Sequence, residues 1–370
     1  MRIVVKIGSS SLVDAAGQRQ VGLLGQLVDD IAAVVLAGHD VVLVSSGAIA
    51  TGLGILGHDR RPTELPALQA ASAVGQGELF ATWSSLFQLR GVRSGQVLLT
   101  MHDAMHRSSW VNARGTLEQL LAWRVVPIVN ENDTTATDEI TFGDNDALAA
   151  QVAVSLDADL LLLLTDTEGL YTEHPDSPRA ELIRSVDDHS LLRRIDTATT
   201  GSHWGSGGMR SKVVAAEMAG TGGVVTHIAR AATKGIVARI VGGEHVGTRI
   251  ASHERRGSSF KLWLRYAKRP RGTVVVDDGA RAAILERGAS LLPIGVTSVE
   301  GGFHAGDAVD VVDEAGAAFA KGIAEYGATE LARLADDPEA ARGAPEAVHR
   351  DQLVLLGAAE HDAAAPSRTA

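Results

Sequence analysis

Short runs of apolar, mostly β-branched residues recur along the first part of the chain, and each run ends in small and polar residues. The four clearest runs are Val4–Ile7, which contains Lys6, and Val41–Val44, Pro127–Val129 and Leu160–Leu164. Continuous apolar runs of this kind are typical of parallel strands that are covered on both faces. Open α/β sheets bind their ligands at the carboxyl ends of such strands. The pattern therefore predicts that the polar residues after the four runs line one crevice.

Stretches with apolar residues three and four positions apart separate these runs. Helices are predicted over residues 21–36, 68–89, 110–121 and 147–156, with Gly38 placed to end the first of them. Further strands are predicted over residues 94–99, 223–228 and 234–240. Because strands and helices alternate, we expect an α/β fold with an open, mostly parallel sheet sandwiched by helices.

The character of the chain changes after about residue 250. A polar segment without periodicity, 252–259, is followed by short β-like runs at 273–276, 296–299, 308–312 and 317–320, with one helix at 280–287. This pattern is typical of a small β-rich barrel. We predict an α/β domain over residues 1–258, a linker over 259–270, a β-rich domain over 271–357 and a disordered tail over 358–370.

The amino-acid composition argues against several classes of function. The net charge of −11 opposes a chain built mainly to bind nucleic-acid phosphates. The chain has no cysteine, which excludes disulfides, thiolate metal sites and cysteine nucleophiles. It shows neither a signal segment nor a run of about 18 apolar residues, so we expect a cytoplasmic protein that does not span a membrane.

Two lysines stand next to glycine-rich turns. Lys6 precedes Gly8-Ser9-Ser10, and Lys212 follows the loop Gly205–Gly208 at the start of an expected helix. Backbone N–H groups in such turns, and the positive end of a helix, favour an anion. Taken alone, Lys6 would also suit a surface position on an edge strand. Taken together, the two lysines indicate a phosphate site and favour phosphoryl transfer.

The known phosphate and dinucleotide motifs are absent from the sequence. It contains neither the P-loop G-x-x-x-x-G-K-[ST] nor the protein-kinase motif set. Gly52, Gly54 and Gly57 have the spacing G-x-G-x-x-G, but Gly52 comes eight residues after Val44. The dinucleotide motif places its first glycine directly after the strand, so these glycines more simply belong to a helix end.

Carboxylates and amides occur in excess at two of the expected turns. Asp144, Asn145 and Asp146 open a predicted helix, where one residue suffices as an N-cap, and Asn130–Asp133 follow a predicted strand. Near a phosphate site, such groups can orient lysines, hold a metal–nucleotide complex or bind an ammonium group.

These segments resemble the motif set of the amino acid kinase family. The matching segments are Lys6–Ser10, Ser45–Ala48, Asn130–Asp133, Gly143–Asp146, Leu164–Asp166 and Gly207–Lys212. Two later segments, Gly272–Ala280 and Ile284–Pro293, resemble a PUA domain. Within the family this domain order resembles the glutamate 5-kinases, over nearly the whole chain. The resemblance implies ATP-dependent phosphorylation of the γ-carboxylate of L-glutamate, which is the first step of proline biosynthesis.

The resemblance also assigns roles to residues. It implies that Lys6, Lys212 and Asp146 are catalytic. It implies that Ser46, Gly47, Asp133 and Asn145 bind the substrate. The implied ATP-binding residues are Lys6, Gly8, Thr165, Asp166, Ser206, Gly207, Gly208, Met209, Arg210, Ser211 and Lys212. Mg²⁺ is expected to accompany ATP, with no metal site of the protein's own. Ser206 and Ser211 stand where the family usually has threonine, but both keep the hydroxyl group.

The resemblance further implies feedback inhibition by proline and a homodimer or homotetramer. One alternative is a kinase for another small acid, such as aspartate, N-acetylglutamate, carbamate or UMP. A second alternative is RNA binding, because PUA domains elsewhere bind RNA. Residues 261–333 carry nine basic and ten acidic side chains, which is a poor electrostatic surface for RNA, although five of the basic ones cluster at 261–271.

Overall fold

The computed structural model describes residues 1–12, 20–58, 60–100, 103, 107–135, 144–192, 208–253, 261, 264–265 and 270–356. The chain divides into two compact units, Met1–Ser259 and Phe260–Ala370. The predicted tail, 358–370, and most of the predicted linker, 259–270, lie outside the described residues.

The first unit is built on one twisted sheet. Its strands are β1 (Arg2–Ile7), β2 (Asp40–Ser45), β3 (Arg93–Leu99), β4 (Val125–Glu131), β5 (Leu160–Thr165), β6 (Ser185–Val186), β7 (Val225–Arg230) and β8 (Thr248–Ile250). Their order is β3-β4-β2-β1-β5-β7-β8-β6. Every pairing is parallel except that of β7 with β8. The prediction of an open, mostly parallel sheet is confirmed.

Helices flank this sheet. They are α1 (Ser9–Leu12), α2 (Val21–Leu36), α3 (Ala48–Leu56), α4 (Leu65–Gln88), α5 (Arg107–Ala122), α6 (Asp144–Ser155), α7 (Met209–Thr221) and α8 (Ile236–Val241). All four helices predicted from periodicity are present, and Gly38 follows the end of α2 with φ +97°. A buried apolar cluster joins β1, β2 and β5 to α2, α4 and α8. Within the described ranges, no helix has both the length and the apolar character needed to cross a membrane.

The strand predicted over residues 234–240 is wrong, because this segment turns into α8. Gly235, at φ +67°, redirects the backbone into the helix. Asp30 on α2 then caps the new helix: its carboxylate accepts the backbone N–H groups of Val237 at 2.6 Å and Ala238 at 3.0 Å. The capping residue lies more than 200 positions away, so the local apolar pattern could not reveal it.

Helices α3 and α4 approach each other at two glycines. A methyl group added at Gly52 would lie 1.8 Å from the carbonyl oxygen of Ala71. One added at Gly75 would lie 1.9 Å from the carbonyl oxygen of Ala48. Real Cβ atoms do not come this close to backbone, so the two helices can touch here only without side chains. The contact sets the distance of α4 from the loop between β2 and α3.

Gly52→Ala is therefore expected to destabilise the first unit by about 3 kcal/mol or more, because the two helices must separate to admit the methyl group. Gly77→Ala is the matched control. Gly77 also lies on α4, but an added methyl group there meets nothing within 4 Å. Alanine should stabilise the helix at that position by up to about 1 kcal/mol. Thermal denaturation of both variants measures the difference, and equal Tm values would contradict the interpretation.

The second unit has a separate, smaller sheet. Its strands are β9 (Gly272–Val276), β10 (Val296–Gly301), β11 (Ala308–Val312), β12 (Ala318–Ile323) and β13 (Leu353–Leu355), in the order β10-β9-β11-β12-β13. Its helices are α9 (Asp278–Arg287), α10 (Ala328–Ala335) and α11 (Pro338–Gly343). A second apolar cluster packs against this sheet. The four strands and the helix predicted here are confirmed.

Candidate active site

The four polar segments identified in the sequence follow four adjacent strands. β1 pairs with β2 on one side and with β5 on the other, and β2 pairs with β4. All four strands run in the same direction, so their carboxyl ends lie at one edge of the sheet. The chain leaves β1 towards β2 and later returns to its other side as β5. Such a reversal of strand order is where open α/β sheets form a binding crevice.

Two helices present their N-termini to this crevice. At that end the Ser211 hydroxyl of α7 lies 2.6 Å from the Asp146 carboxylate of α6. At the other end, a methyl group at Gly222 would come within 2.2 Å of Val154 on α6. The two helices therefore run side by side in the same direction. Their positive ends both face the crevice, which favours an anion there.

Three charged side chains meet beneath the crevice. The Lys6 Nζ on β1 lies 2.5 Å from Asp146 Oδ1, and the Lys212 Nζ on α7 lies 3.3 Å from Asp146 Oδ2. Lys6 and Lys212 are each 4% exposed, and Asp146 is fully buried. We call these three residues the lysine–aspartate triad. Lys6 is on a central strand, so its alternative placement on an edge strand is ruled out.

The triad has one positive charge in excess, since two ammonium groups face one carboxylate. Burial alone would raise the pKa of Asp146, but the charges of Lys212 and Lys6, with hydrogen bonds from Lys6 and Ser211, hold that pKa well below its usual range. Burial lowers the pKa of Lys6, and the charge of Lys212 adds to this effect against the attraction of Asp146. A buried site with an uncompensated positive charge is electrostatically complementary to an anionic ligand.

Helix α4 contacts residues at the ends of β2 and β4 through hydrogen-bonding side chains on one face. Ser72 donates to Asp133 Oδ2 at 2.6 Å, and Gln76 Oε1 accepts from Asn130 at 2.6 Å. Trp83 donates to the Ser45 hydroxyl at 2.9 Å. The spacing of four and seven residues places the three on one helical face. Sequence analysis missed them; the available signal was polar residues at positions that the helical period assigns to the buried face.

The pKa of the buried carboxylate Asp133 is subject to opposing influences. Burial raises its pKa, while the Ser72 hydrogen bond and the charge of Arg61 act in the opposite direction. The neighbouring Asn145 accepts the backbone N–H of Glu131 at 3.2 Å through its Oδ1. Because Oδ1 points to the backbone of β4, the Nδ2 group of Asn145 is the end that is oriented to donate to a ligand. Of the predicted substrate residues, Asp133 thus follows β4, and Asn145 in the first turn of α6 contacts the end of that strand.

The other predicted substrate residues follow β2. The backbone N–H of Ser46 donates to Ile7 at 3.3 Å, which ties the end of β2 to the end of β1. Gly47 has φ +95° and precedes α3 directly. A side chain is disfavoured in this left-handed conformation, and a Cβ atom there would also approach Leu12 to 3.3 Å.

Both ends of the Asn130 amide have hydrogen-bond partners within the protein. Its Nδ2 donates to Gln76, and its Oδ1 accepts the backbone N–H of Glu131 at 2.9 Å. The excess of amides after β4 is therefore in part structural, since Asn130 holds the end of that strand against α4.

Apart from Lys6 and Gly8, the described residues among the predicted ATP-binding set lie at the end of β5 and the start of α7. The buried Thr165 hydroxyl donates to the exposed Asp166 at 3.0 Å. Gly208 is the N-cap of α7, and Met209, Arg210, Ser211 and Lys212 form its first turn. The sequence led us to expect free backbone N–H groups in the turn after Lys6, but the N–H of Gly8 donates to the Leu164 carbonyl at 3.3 Å. Gly143, Ser206 and Gly207 lie outside the described residues.

Comparison with known proteins yields matches over nearly the whole chain. A model of the amino acid kinase family matches residues 1–230, and a PUA domain model matches residues 272–340. The glutamate 5-kinases of Streptomyces coelicolor and Frankia casuarinae are each 46% identical to this chain, and that of Chromohalobacter salexigens is 44% identical. Each of these alignments covers 96% of both proteins. A UMP kinase from Bacillus anthracis aligns with 68% of this chain and 95% of its own, at a TM-score of 0.47 and 16% identity.

Proposed function

The chain belongs to the amino acid kinase family and carries a PUA domain, and we propose that it transfers the γ-phosphate of ATP to the γ-carboxylate of L-glutamate. The product is L-glutamyl 5-phosphate, and the reaction is the first step of proline biosynthesis. The glutamate 5-kinases that align over 96% of the chain support this substrate. The observation that carries the proposal is the buried lysine–aspartate triad with its excess positive charge.

Phosphoryl transfer depends on positioning and on charge stabilisation more than on covalent chemistry. The γ-carboxylate of glutamate is already an anion, so its attack on the γ-phosphate in line needs no general base. Lys6 from β1 and Lys212 from α7 reach the same carboxylate from two elements. In our mechanism they neutralise the transferring phosphoryl group from two sides, while Asp146 keeps both ammonium groups in place.

Substrate binding is assigned to the ends of β2 and β4. Among Ser46, Gly47, Asp133 and Asn145, only Asp133 carries a charge, so it is the complement of the α-ammonium group. Ser46 and Asn145 would donate to the carboxylates of glutamate. With the α-amino end held at β4, the γ-carboxylate of an extended glutamate points towards Lys6 on the central strand.

ATP is assigned to the opposite half, between the end of β5 and the start of α7. Thr165 and Asp166 would contact the nucleoside, and residues 206–212 would surround the phosphates. Within the described ranges, no group of three or more His, Asp or Glu side chains is placed to hold a metal ion. In our proposal Mg²⁺ arrives with ATP, where it would reduce the charge repulsion between phosphate oxygens.

The direct test is ATP consumption with L-glutamate, Mg²⁺ and hydroxylamine, scored by the hydroxamate that traps an acyl phosphate. We expect hydroxamate with L-glutamate and none with aspartate or N-acetylglutamate. Equal product with another acid would favour the alternative of a different small-acid kinase. No product with any acid would contradict the proposed activity.

Two further properties concern inhibition and assembly. We propose that L-proline inhibits the reaction and that the protein assembles as a dimer or tetramer, as the family resemblance implies. Proline carries the α-amino and α-carboxylate charges of glutamate in a smaller frame, so competition at Asp133 is the simplest route. Inhibition that glutamate relieves, and light scattering of the purified protein, test the two points separately.

A further inference from the structure

Ser72 contacts Asp133, the side chain that we assign to the substrate's α-ammonium group. It is 2% exposed and lies on α4, one helical turn before Gln76, which holds the end of β4. The Gly52–Gly75 contact fixes the position of α4 against α3. The Ser72 hydroxyl therefore has little freedom, and it donates to Asp133 Oδ2 at 2.6 Å.

We propose that Ser72 is a positioning residue for substrate recognition: its hydroxyl holds Asp133 ionised and turns Oδ1 of that carboxylate towards the α-ammonium group. The inference rests on the proposed function, because it takes L-glutamate as the substrate. Ser72 itself touches no reacting atom, so its effect should appear in substrate binding and not in the chemical step.

The physical basis is the cost of a buried carboxylate. Burial favours the neutral form of Asp133, and a protonated Asp133 would have no charge for the ammonium group. A hydroxyl that donates to the ionised form opposes this tendency, as does the charge of Arg61. An N-acylated acid offers no ammonium group to pair with Asp133, so we expect the site to prefer a free amino acid.

The test compares Ser72→Ala with Ser85→Ala, the same change at an exposed position of α4. Loss of the hydrogen bond should raise the KM for L-glutamate about fivefold to tenfold. The values of kcat and of KM for ATP should change less than twofold. Removing the donor also raises the pKa of Asp133, so kcat/KM for glutamate should start to fall at a higher pH on the acid side. Glutamate's own titration affects both variants equally and cancels in the comparison.

Two further measurements separate positioning from a merely structural role. Ser72→Cys keeps the size of the side chain but offers only a weak donor, so it should fold and still raise the KM for glutamate. In an Asp133→Asn background, Ser72→Ala should have no additional effect on that KM. Wild-type KM in Ser72→Cys, or an equal effect of Ser72→Ala in both backgrounds, would overturn the inference. An inactive wild-type protein would instead refute the proposed function.

Discussion

Replacing Lys212 by alanine is expected to lower kcat by about two orders of magnitude or more. Lys212 stands in the first turn of α7, and its ammonium group lies 3.3 Å from Asp146 at the crevice. In the proposed mechanism it neutralises charge that develops on the transferring phosphoryl group. Removal of one such preorganised contact costs roughly 3–4 kcal/mol of transition-state stabilisation. Steady-state kinetics with L-glutamate and ATP measure the loss.

A second replacement, Lys212→Met, should abolish activity without lowering thermal stability. Lys212→Met leaves Lys6 paired with Asp146 at 2.5 Å and removes the excess positive charge. We therefore expect its Tm to equal or exceed that of the wild type although kcat is lost. Lys234→Ala, at an exposed lysine of the same unit, is the control and should keep both properties. A near-normal kcat in the Lys212 variants would reject the catalytic role.

Asp146→Asn should reduce both activity and stability. The change keeps the shape of the side chain but leaves two buried ammonium groups without their counter-charge. Removing one partner of a buried ion pair costs about 3–5 kcal/mol. Both lysines lose their fixed positions, so kcat should fall by at least about a hundredfold, as for the loss of one preorganised contact.

The pH dependence of this variant gives a sharper signature. Asp146 favours the charged form of Lys6, and burial already lowers the pKa of that lysine. Without Asp146 the pKa of Lys6 falls further, so residual activity should begin to disappear at a lower pH on the alkaline side. Asp176→Asn, at an exposed carboxylate, controls for the loss of one negative charge. If Asp146→Asn kept the wild-type alkaline limit and Tm, the triad would have no role in holding the lysines.

Much of the fold could be predicted from the sequence, because the pattern of apolar residues within each strand or helix is a local property. Buried parallel strands such as β5 (Leu160–Thr165) read as unbroken apolar runs, and α2 has the period of a helix with one buried face. The failure at residues 234–240 has a different origin. There the structure depends on Asp30, whose carboxylate caps α8 across the fold. Such a long-range bond leaves no trace in the neighbouring residues.

Some residues of the candidate site could likewise be identified from the sequence, and others could not. Lys6, Asp146 and Lys212 stood out because charged residues are unusual next to apolar runs and glycine turns, and the structure brings both lysines within 3.3 Å of Asp146. Ser72, Gln76 and Trp83 did not stand out. They belong to a helix whose contribution depends on how closely it packs, and the Gly52–Gly75 approach that sets this distance involves two glycines far apart in the sequence.

The central position of β1 has a consequence for folding kinetics. Ile3 pairs with Leu160, so β1, the earliest strand of this sheet, meets its second neighbour only after more than 150 further residues. At about 5–20 residues per second, the nascent chain waits roughly 8–30 s for that partner. Contacts of high sequence separation form late and slow the rate-limiting step. Because Lys6 belongs to β1, catalytic activity should be the last property to return on refolding, after most of the secondary structure.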